Sequence, residues 1–469
     1  MEGVRMLRLE GVQAECLFDE VLPAEVRELP EELARLDELL TDPALLAPIE
    51  RHWRAEAEQR GRSLTDHGRP SIPMSTYVRL MVIKQRSGWG YETLVKEVSD
   101  SLHLRRFCLI GITERVPEES TVRKLTRRLG AETVAELTRA LIAKAVRERR
   151  FRAGAARIDS TVVEADVRYP SDAMLCLQGA RALARQGRRL ARRIGERGNA
   201  VRDRSRAVGR RVRQISRTLA RRTGQAREQV IALNAEAGRL LRRSAKEARR
   251  LAALARSKAR GHGARAKLRS VESIEALAER CERITTQTAQ RLRGEKITDR
   301  IVSIADPDAR PIRKGKAGKP NEFGYVAQIC EVTRNTKPGA RGFVLPAASG
   351  AGNLGENTLL PETVAELATL ELRPREIVLD GGFGHLRSEE QLAEIKVDRV
   401  FVSGRQEPGS ARTKRRLRRY RTGIEGRISH LKRGYGLRRS RLKGLEGQRT
   451  WTAWAILAYD LDTFAVLPR

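Results

Sequence analysis

One segment limits the folds open to this chain more than any other. Residues 181–260 contain 26 Lys and Arg against 5 Asp and Glu, and no Phe, Trp or Tyr. Leu and Ala recur in this segment at helical spacing, which favours long paired helices over disorder. Its charge suits an arm that contacts the phosphates of a nucleic acid without reading the bases. The alternative is a solvated coiled-coil spacer, although charge of one sign at this density repels itself.

The charge of the whole chain has the same sign. Its 469 residues carry a formal net charge of +34, and the pI is about 11.0. Such a field attracts a polyanion; nucleic acid is the first candidate and an anionic membrane surface the second. The absence of an apolar run of about 18 residues and of a secretory signal argues against membrane attachment. The five cysteines are scattered without a CxxC pair, so we expect reduced thiols in a cytoplasm and no structural zinc.

The chain before residue 150 is predicted to be helical. Residues 1–45 contain short acidic-apolar segments, which suit packing or self-association. Residues 46–150 predict a compact helical domain, in which Ser75 caps one helix and SGWG at 87–90 makes the turn to the next. A short helix then carries four cations, Arg123, Lys124, Arg127 and Arg128. A helix-turn-helix would lay this helix in the major groove of DNA, and the alternative is a helical bundle with a basic outer face.

Strand-like runs lie on both sides of the basic segment. In AARIDSTVVEAD, β-branched residues surround Asp159. In REIVLDGGFGH, an apolar run ends at Asp380, and the glycines after it let the backbone turn at once. A helix beginning at Pro361, PETVAELATL, lies between two of the later strands. Each Asp taken alone is weak support for a site, because Asp and Gly at a strand end are common in turns.

The order of these segments predicts an α+β protein of several domains. A mixed α/β domain is expected from residues 151–170 and 301–469, interrupted by a basic helical insertion at 171–300. The loop RPIRKGKAGKP opens the second part of that domain. Its cations Arg313, Lys314 and Lys316 either grip phosphates near a site or are merely exposed.

The stretch Thr413 to Gly434 is predicted to form one helix, because it has no proline and glycine stands at its end. At 100° per residue, Arg421, Glu425 and Lys432 fall within about 40° of one another. A carboxylate among cations on one face can hold a divalent metal beside a phosphodiester, and the alternative is a solvated basic helix. Two strand-borne Asp with this Glu make the oxygen set that two Mg²⁺ ions require, or Mn²⁺ in their place.

Around Glu425 the chain resembles a known family. DDE transposases of bacterial insertion sequences, in the IS5-like group and its ISNCY-type relatives, carry Tyr, two residues, Arg, three residues, Glu, six residues and Lys. Arg421, Glu425 and Lys432 match this signature in identity and spacing. The Tyr position is occupied by Arg418, and Tyr420 lies two residues further on. The resemblance covers most of the chain outside 171–300.

The resemblance carries expectations about the site. By local context, Asp159 and Asp380 match the first and second Asp of the family's triad. With Glu425 they would be the catalytic and metal-binding residues of a ribonuclease H-like domain, and Arg421 and Lys432 would contact DNA phosphates. The family's chemistry is metal-dependent cleavage and strand transfer at the ends of the element.

The resemblance also implies partners and a location. The helical N-terminal region would bind terminal inverted repeats in double-stranded DNA, and joining two ends to target DNA requires at least a dimer. The protein would act in the bacterial cytoplasm, at the nucleoid. Two alternatives stay open: a metal-dependent nuclease on the same fold, and a non-catalytic basic DNA-binding relative with a degraded site.

Overall fold

The structure is a computed structural model that describes residues 7–13, 17–59, 61, 71–196, 198, 200–221, 223–261, 263–313 and 321–468. The chain divides into two compact units. The first, here the sheet unit, comprises residues 1–166 and 325–469; the second, the inserted unit, comprises residues 167–324.

The elements follow in chain order. Helices precede the first strand: α1 Leu17–Val21, α2 Ala24–Arg27, α3 Glu31–Leu40, α4 Ala47–Gln59, α5 Met74–Ser87, α6 Tyr91–Asp100, α7 Leu102–Phe107 and α8 Glu119–Arg147. Then come β1 Ala155–Ala165, α9 Asp172–Arg193, α10 Ser205–Leu219, α11 Gly224–Ser257, α12 Ala264–Leu292 and β2 Arg310–Ile312. The remaining elements are β3 Glu322–Thr333, β4 Phe343–Val344, β5 Ala348–Ala351, α13 Glu356–Thr369, β6 Glu376–Leu379, α14 His385–Leu392, β7 Arg399–Val402, α15 Ala411–Gly434, β8 Arg439–Ser440 and α16 Gly444–Ala465.

The N-terminal helices agree with the sequence pattern except at one cap. Helix α5 begins at Met74 after Pro73, whose extended backbone supplies no side-chain cap. Ser75 therefore lies in the first turn, and its hydroxyl accepts the backbone N–H of Gly11 at 2.8 Å. The prediction that Ser75 caps this helix was wrong, because proline at the preceding position fixes where the helix begins. Helix α8 is broken at Gly130, where φ is 69°.

The sheet of the sheet unit is mixed. Strands β1, β6 and β7 are parallel neighbours, with Ile158 of β1 opposite Leu379 of β6. Strand β3 lies on the other side of β1 and runs the opposite way, since the N–H of Gly154 donates to the carbonyl of Thr333. Strands β4 and β5 are antiparallel to β3, and β8 pairs with the end of β1. Strand β6 therefore ends beside the middle of β1, which continues to Ala165.

Two helices complete the sheet unit. Helix α16 is buried along most of its length and packs against α5 and α8. Helix α15 ends at Gly434 as predicted, and Ser410 caps its first turn by accepting the N–H of Thr413. Leu417, Ile424 and Leu431 turn one face of α15 into the core, which leaves the opposite face for polar side chains.

The inserted unit has a core of its own. Helices α9, α11 and α12 pack together through Leu, Ile and Ala side chains that include Leu183, Leu241 and Ile274. Small residues permit close approach: a Cβ atom at Gly179 would lie 2.9 Å from side-chain atoms of Leu241 and Cys281. Many cations are exposed along α11. Among the described helices of the whole chain, none is long and apolar enough to cross a bilayer.

Candidate active site

Two of the predicted site residues lie side by side. Ile158 and Leu379 are register partners on parallel strands, so the residues that follow them, Asp159 and Asp380, stand next to each other on the opposite face of the sheet. Strand β1 continues past Asp159, whereas β6 ends one residue before Asp380 and gives way to a turn at Gly381 and Gly382. Both aspartates are half-buried.

The third predicted residue joins them through an arginine. Nη1 of Arg421 donates to Oδ1 of Asp380 at 3.2 Å, and Nη2 donates to Oε1 of Glu425 at 3.0 Å. Arg421 is mostly buried, whereas 62% of the Glu425 side chain is exposed. One guanidinium therefore links Asp380, at the end of β6, to Glu425 on α15.

A buried ion-pair network holds α15 against β1. Arg157, two residues before Asp159, donates from Nε to Oε2 of Glu331 at 2.7 Å, and from Nη1 to the carbonyl of Tyr420 at 3.0 Å. Glu331 is fully buried and also accepts from Nε of Arg427 on α15 at 2.9 Å. These bonds hold α15, on both sides of Glu425, against the strand that carries Asp159. Sequence reasoning missed this network, since nothing local pairs residues so far apart in the chain.

A fourth carboxylate, Glu356, belongs to the site and was not predicted. It is the first residue of α13, and it accepts a hydrogen bond from the hydroxyl of Ser160, the residue after Asp159. The sequence pattern placed the start of this helix at Pro361, but the helix begins five residues earlier with Pro361 inside it. The sequence feature that could have indicated this helix start is the Glu itself, because the helix dipole stabilises a carboxylate in the first turn.

Two of these carboxyl groups, those of Asp159 and Glu356, have raised pKa values. Burial, with the charges of Asp380 and Glu356, raises the pKa of Asp159 to about 7. Burial and the charge of Asp380 also raise the pKa of Glu356, although the Ser160 hydroxyl partly opposes the shift. Asp159, Asp380 and Glu356 are partly buried and lie near the guanidinium of Arg421, so negative charge exceeds positive charge at this site.

The donor set fits a hard divalent cation. All of these side chains offer carboxylate oxygens, the ligands that such cations prefer. In the described part of the chain, no three His, Cys, Asp or Glu side chains are already grouped closely enough to hold a metal ion. The guanidinium of Arg421 stands between Asp380 and Glu425, which accounts for their separation. Asp159 and Asp380, adjacent in register, are therefore the residues that would hold a metal first.

The predicted DNA contacts are in differing surroundings. Arg123 pairs with Glu119, and Arg128 pairs with Glu56 and lies over the ring of Trp53. In contrast, the remaining two cations of that helix, Lys124 and Arg127, are exposed.

Two of the remaining predicted DNA contacts, Lys432 and Arg313, lie among the described residues. Lys432, two turns after Glu425 on α15, is half-buried. Arg313 is exposed just after β2 in the inserted unit, and Lys314 and Lys316 lie outside the described residues. The structure thus sets Asp159 beside Asp380 and joins Asp380 to Glu425 through Arg421.

Carboxylates on adjacent strands, with another on a helix beside an arginine, are typical of metal-dependent enzymes that act on phosphodiesters. Two family models match this chain: Transposase domain (DUF772) over residues 25–128, and Transposase DDE domain over residues 299–461. The chain belongs to the DDE transposases of the insertion-sequence type, which cleave DNA and transfer its strands.

The two matched ranges include some of the site residues but not all of them. Asp380, Glu425 and Glu356 lie within the DDE domain, whereas Asp159 lies outside both matched ranges. The DDE domain implies a ribonuclease H-like fold, with which the mixed sheet agrees, and enzymes of this family use divalent metal ions. Comparison with curated proteins and with solved structures gave no match.

Proposed function

We propose that this transposase belongs to the IS5-like or ISNCY-type group and moves its own insertion sequence by Mg²⁺-dependent cleavage and strand transfer. Asp159, Asp380 and Glu425 would be its catalytic triad. The observation that carries this proposal is the register pairing that sets Asp159 beside Asp380, together with the arginine that ties Asp380 to Glu425. Mn²⁺ would substitute for Mg²⁺, because the ligands are oxygens alone.

Each side chain has a distinct task in this proposal. Asp159 and Asp380 would hold divalent ions, which when bound would supply Lewis-acid stabilisation of the negative charge on oxygen during phosphoryl transfer. Asp159 must lose its proton to do so, since only the carboxylate form binds a cation. Arg421 keeps Asp380 and Glu425 within reach of one another, and its guanidinium is placed to contact a phosphate beside them. Lys432, on the same face of α15, would contact a further phosphate.

The N-terminal helices would select the DNA. Lys124 and Arg127 are exposed on the first part of α8 and are free to contact terminal inverted repeats, whereas Arg123 and Arg128 orient that helix through their ion pairs. The active complex would be at least a dimer that holds two ends and a target duplex. It would act in the bacterial cytoplasm, at the nucleoid.

The inserted unit would bind the DNA backbone along α11. Helices α11 and α12 line a groove of about 1140 Å³, and one face of α11 supplies six cations to it, Arg239, Arg242, Arg243, Lys246, Arg249 and Arg250. Arg249 is neutralised by Glu282, with nitrogen–oxygen distances of 2.6 and 2.5 Å. Within the described residues the other five have no carboxylate partner. A regular row of unpaired cations matches the phosphates of a duplex and reads no bases.

The test is cleavage and joining of a DNA fragment that carries the element's own ends, with and without Mg²⁺. Wild type should cut and join, whereas Glu425→Gln should bind the DNA equally well and do neither. Cleavage without joining would favour the metal-dependent nuclease. DNA binding without metal-dependent chemistry in either protein would refute the enzyme proposal.

A further inference from the structure

We infer that Glu356 is a positioning residue of this active site: through Ser160 it orients the carboxylate of Asp159, and through Gly382 it fixes the turn that carries Asp380. This inference rests on the proposed function, because it gives Glu356 a part in holding the metal-binding aspartates. Glu356 is not one of the triad, and its role follows from what its side chain touches.

The first contact is with the strand that carries Asp159. The hydroxyl of Ser160 donates to Oε2 of Glu356, and the backbone N–H of Ser160 donates to Oδ1 of Asp159 at 2.8 Å. Ser160 thus joins the two acids by consecutive hydrogen bonds. A carboxylate held by a bonded neighbour keeps one orientation, and partners of this kind tune how well the metal-binding residues work.

The second contact is with the turn after Asp380. A Cβ atom at Gly382 would lie 3.1 Å from Cγ of Glu356, so this side chain packs directly on the glycine backbone. The next residue, Asn357, reinforces the contact: its Oδ1 accepts the N–H of Gly384 at 2.8 Å. The start of α13 is therefore attached to the turn at two consecutive positions.

The start of α13 is itself held firmly. Nε2 of Gln328, a buried residue of β3, donates to the carbonyl of Glu356 at 2.9 Å. The Nδ2 of Asn357 donates to Ser388 and Gln391 on α14, at 2.9 and 3.1 Å. Because its backbone is fixed from β3 and from α14, Glu356 can set the separation of Asp159 and Asp380 rather than follow it.

A positioning role and a role as a direct metal ligand predict opposite results for two variants. Glu356→Gln keeps an oxygen that accepts the Ser160 hydroxyl but loses the charge. Ser160→Ala keeps the charge of Glu356 and the backbone bond to Asp159 but breaks the bond between Glu356 and the strand that carries Asp159. If Glu356 acts through Ser160, then Ser160→Ala and Glu356→Ala should each weaken metal binding by about ten- to a hundredfold. Glu356→Gln should stay within about threefold of wild type.

The experiment is titration of the full-length protein with Mn²⁺, followed by calorimetry or by electron paramagnetic resonance, and repeated as single-turnover cleavage of end-bearing DNA. The double variant Ser160→Ala/Glu356→Ala should be no worse than Glu356→Ala alone, since Ser160→Ala removes a link that Glu356→Ala has already removed. Glu362→Gln, an exposed position on the same helix, is the matched control and should equal wild type. Duplex DNA affinity should be unchanged in all of them.

Each outcome decides the matter. Additive effects of the two alanine variants, or a Glu356→Gln variant as weak as Glu356→Ala, would overturn the positioning role, the latter in favour of direct ligation. Wild-type protein that binds Mn²⁺ without cleaving DNA would refute the proposed function but not the positioning role, because the Mn²⁺ affinities of the variants still report on Glu356. Wild-type protein that binds no Mn²⁺ would overturn both.

Discussion

Replacing Gly423 with Ala should dislodge the buried arginine on which the position of Glu425 depends. A Cβ atom at Gly423 would lie 1.7 Å from Nη1 of Arg157, far inside the roughly 3.5–4.0 Å of ordinary contact. Arg157 has little freedom to move away, because only 4% of it is exposed and its guanidinium is bonded to Glu331 and to two backbone carbonyls.

The magnitude follows from the bonds that must break. Separating one partner of a buried ion pair costs about 3–5 kcal/mol, whereas Ala in place of Gly inside a helix contributes about 1 kcal/mol of stability. Gly423→Ala should therefore lower the free energy of unfolding by about 2–4 kcal/mol. It should also move the part of α15 that carries Glu425 away from Asp380 and greatly reduce the cleavage of DNA.

The same helix offers a matched control. Gly426 adjoins Glu425 on the other side, and a Cβ atom there would meet nothing within 4 Å. Gly426→Ala should thus raise the free energy of unfolding by about 0.5–1 kcal/mol and leave cleavage near wild type. Urea unfolding and single-turnover cleavage of end-bearing DNA measure both quantities. Equal stability and equal activity of the two variants would refute the packing argument.

Three other predictions concern separate parts of the chain. Because the pKa of Asp159 is raised to about 7, Mg²⁺ affinity should climb about tenfold per pH unit below 7 and level off above it, and calorimetry should find this slope absent in Asp159→Asn. Lys84 is buried beside two aromatic rings and its pKa is lowered to about 7, so the folded protein loses stability as pH falls from about 10.5 towards 7. Lys84→Met should raise the free energy of unfolding by about 2 kcal/mol at pH 7, because the loss of the ring contacts offsets part of the gain. A thermal scan that shows no gain in stability would contradict this. Changing Arg242, Arg243 and Arg250 to Gln should weaken duplex binding and reduce the slope of log affinity against log salt concentration by about 3. A slope equal to that of wild type would exclude the α11 groove as the DNA-binding surface.

Sequence reasoning was most successful where one local pattern decides the structure. The periodicity and the final glycine fixed helix α15, and the spacing of Arg421 and Glu425 predicted their contact. The run around Asp159 and the apolar run that ends at Asp380 predicted strands, but the register that makes these residues neighbours could not follow from either run alone.

The failures have physical causes. Pro361 was taken as a helix start, because proline favours that position, yet a proline is also tolerated inside a helix whose earlier turn is held by other contacts. That choice left Glu356 in a supposed loop. The bonds from Arg157 to Glu331 and Tyr420 join distant segments, and only the folded sheet brings them together.

The place of the inserted unit also affects how the protein is made. Strands β1 and β3 are neighbours in the sheet, but residues 166–321 are synthesised between them. At about 5–20 residues per second, an apolar strand waits on the order of ten seconds before its neighbour leaves the ribosome, and longer for β6 and β7. During that interval both edges of β1 lack partners and are open to wrong pairing. The nascent chain is therefore most vulnerable to aggregation while its most soluble part is being translated, and chaperones that bind apolar segments should capture it at that stage.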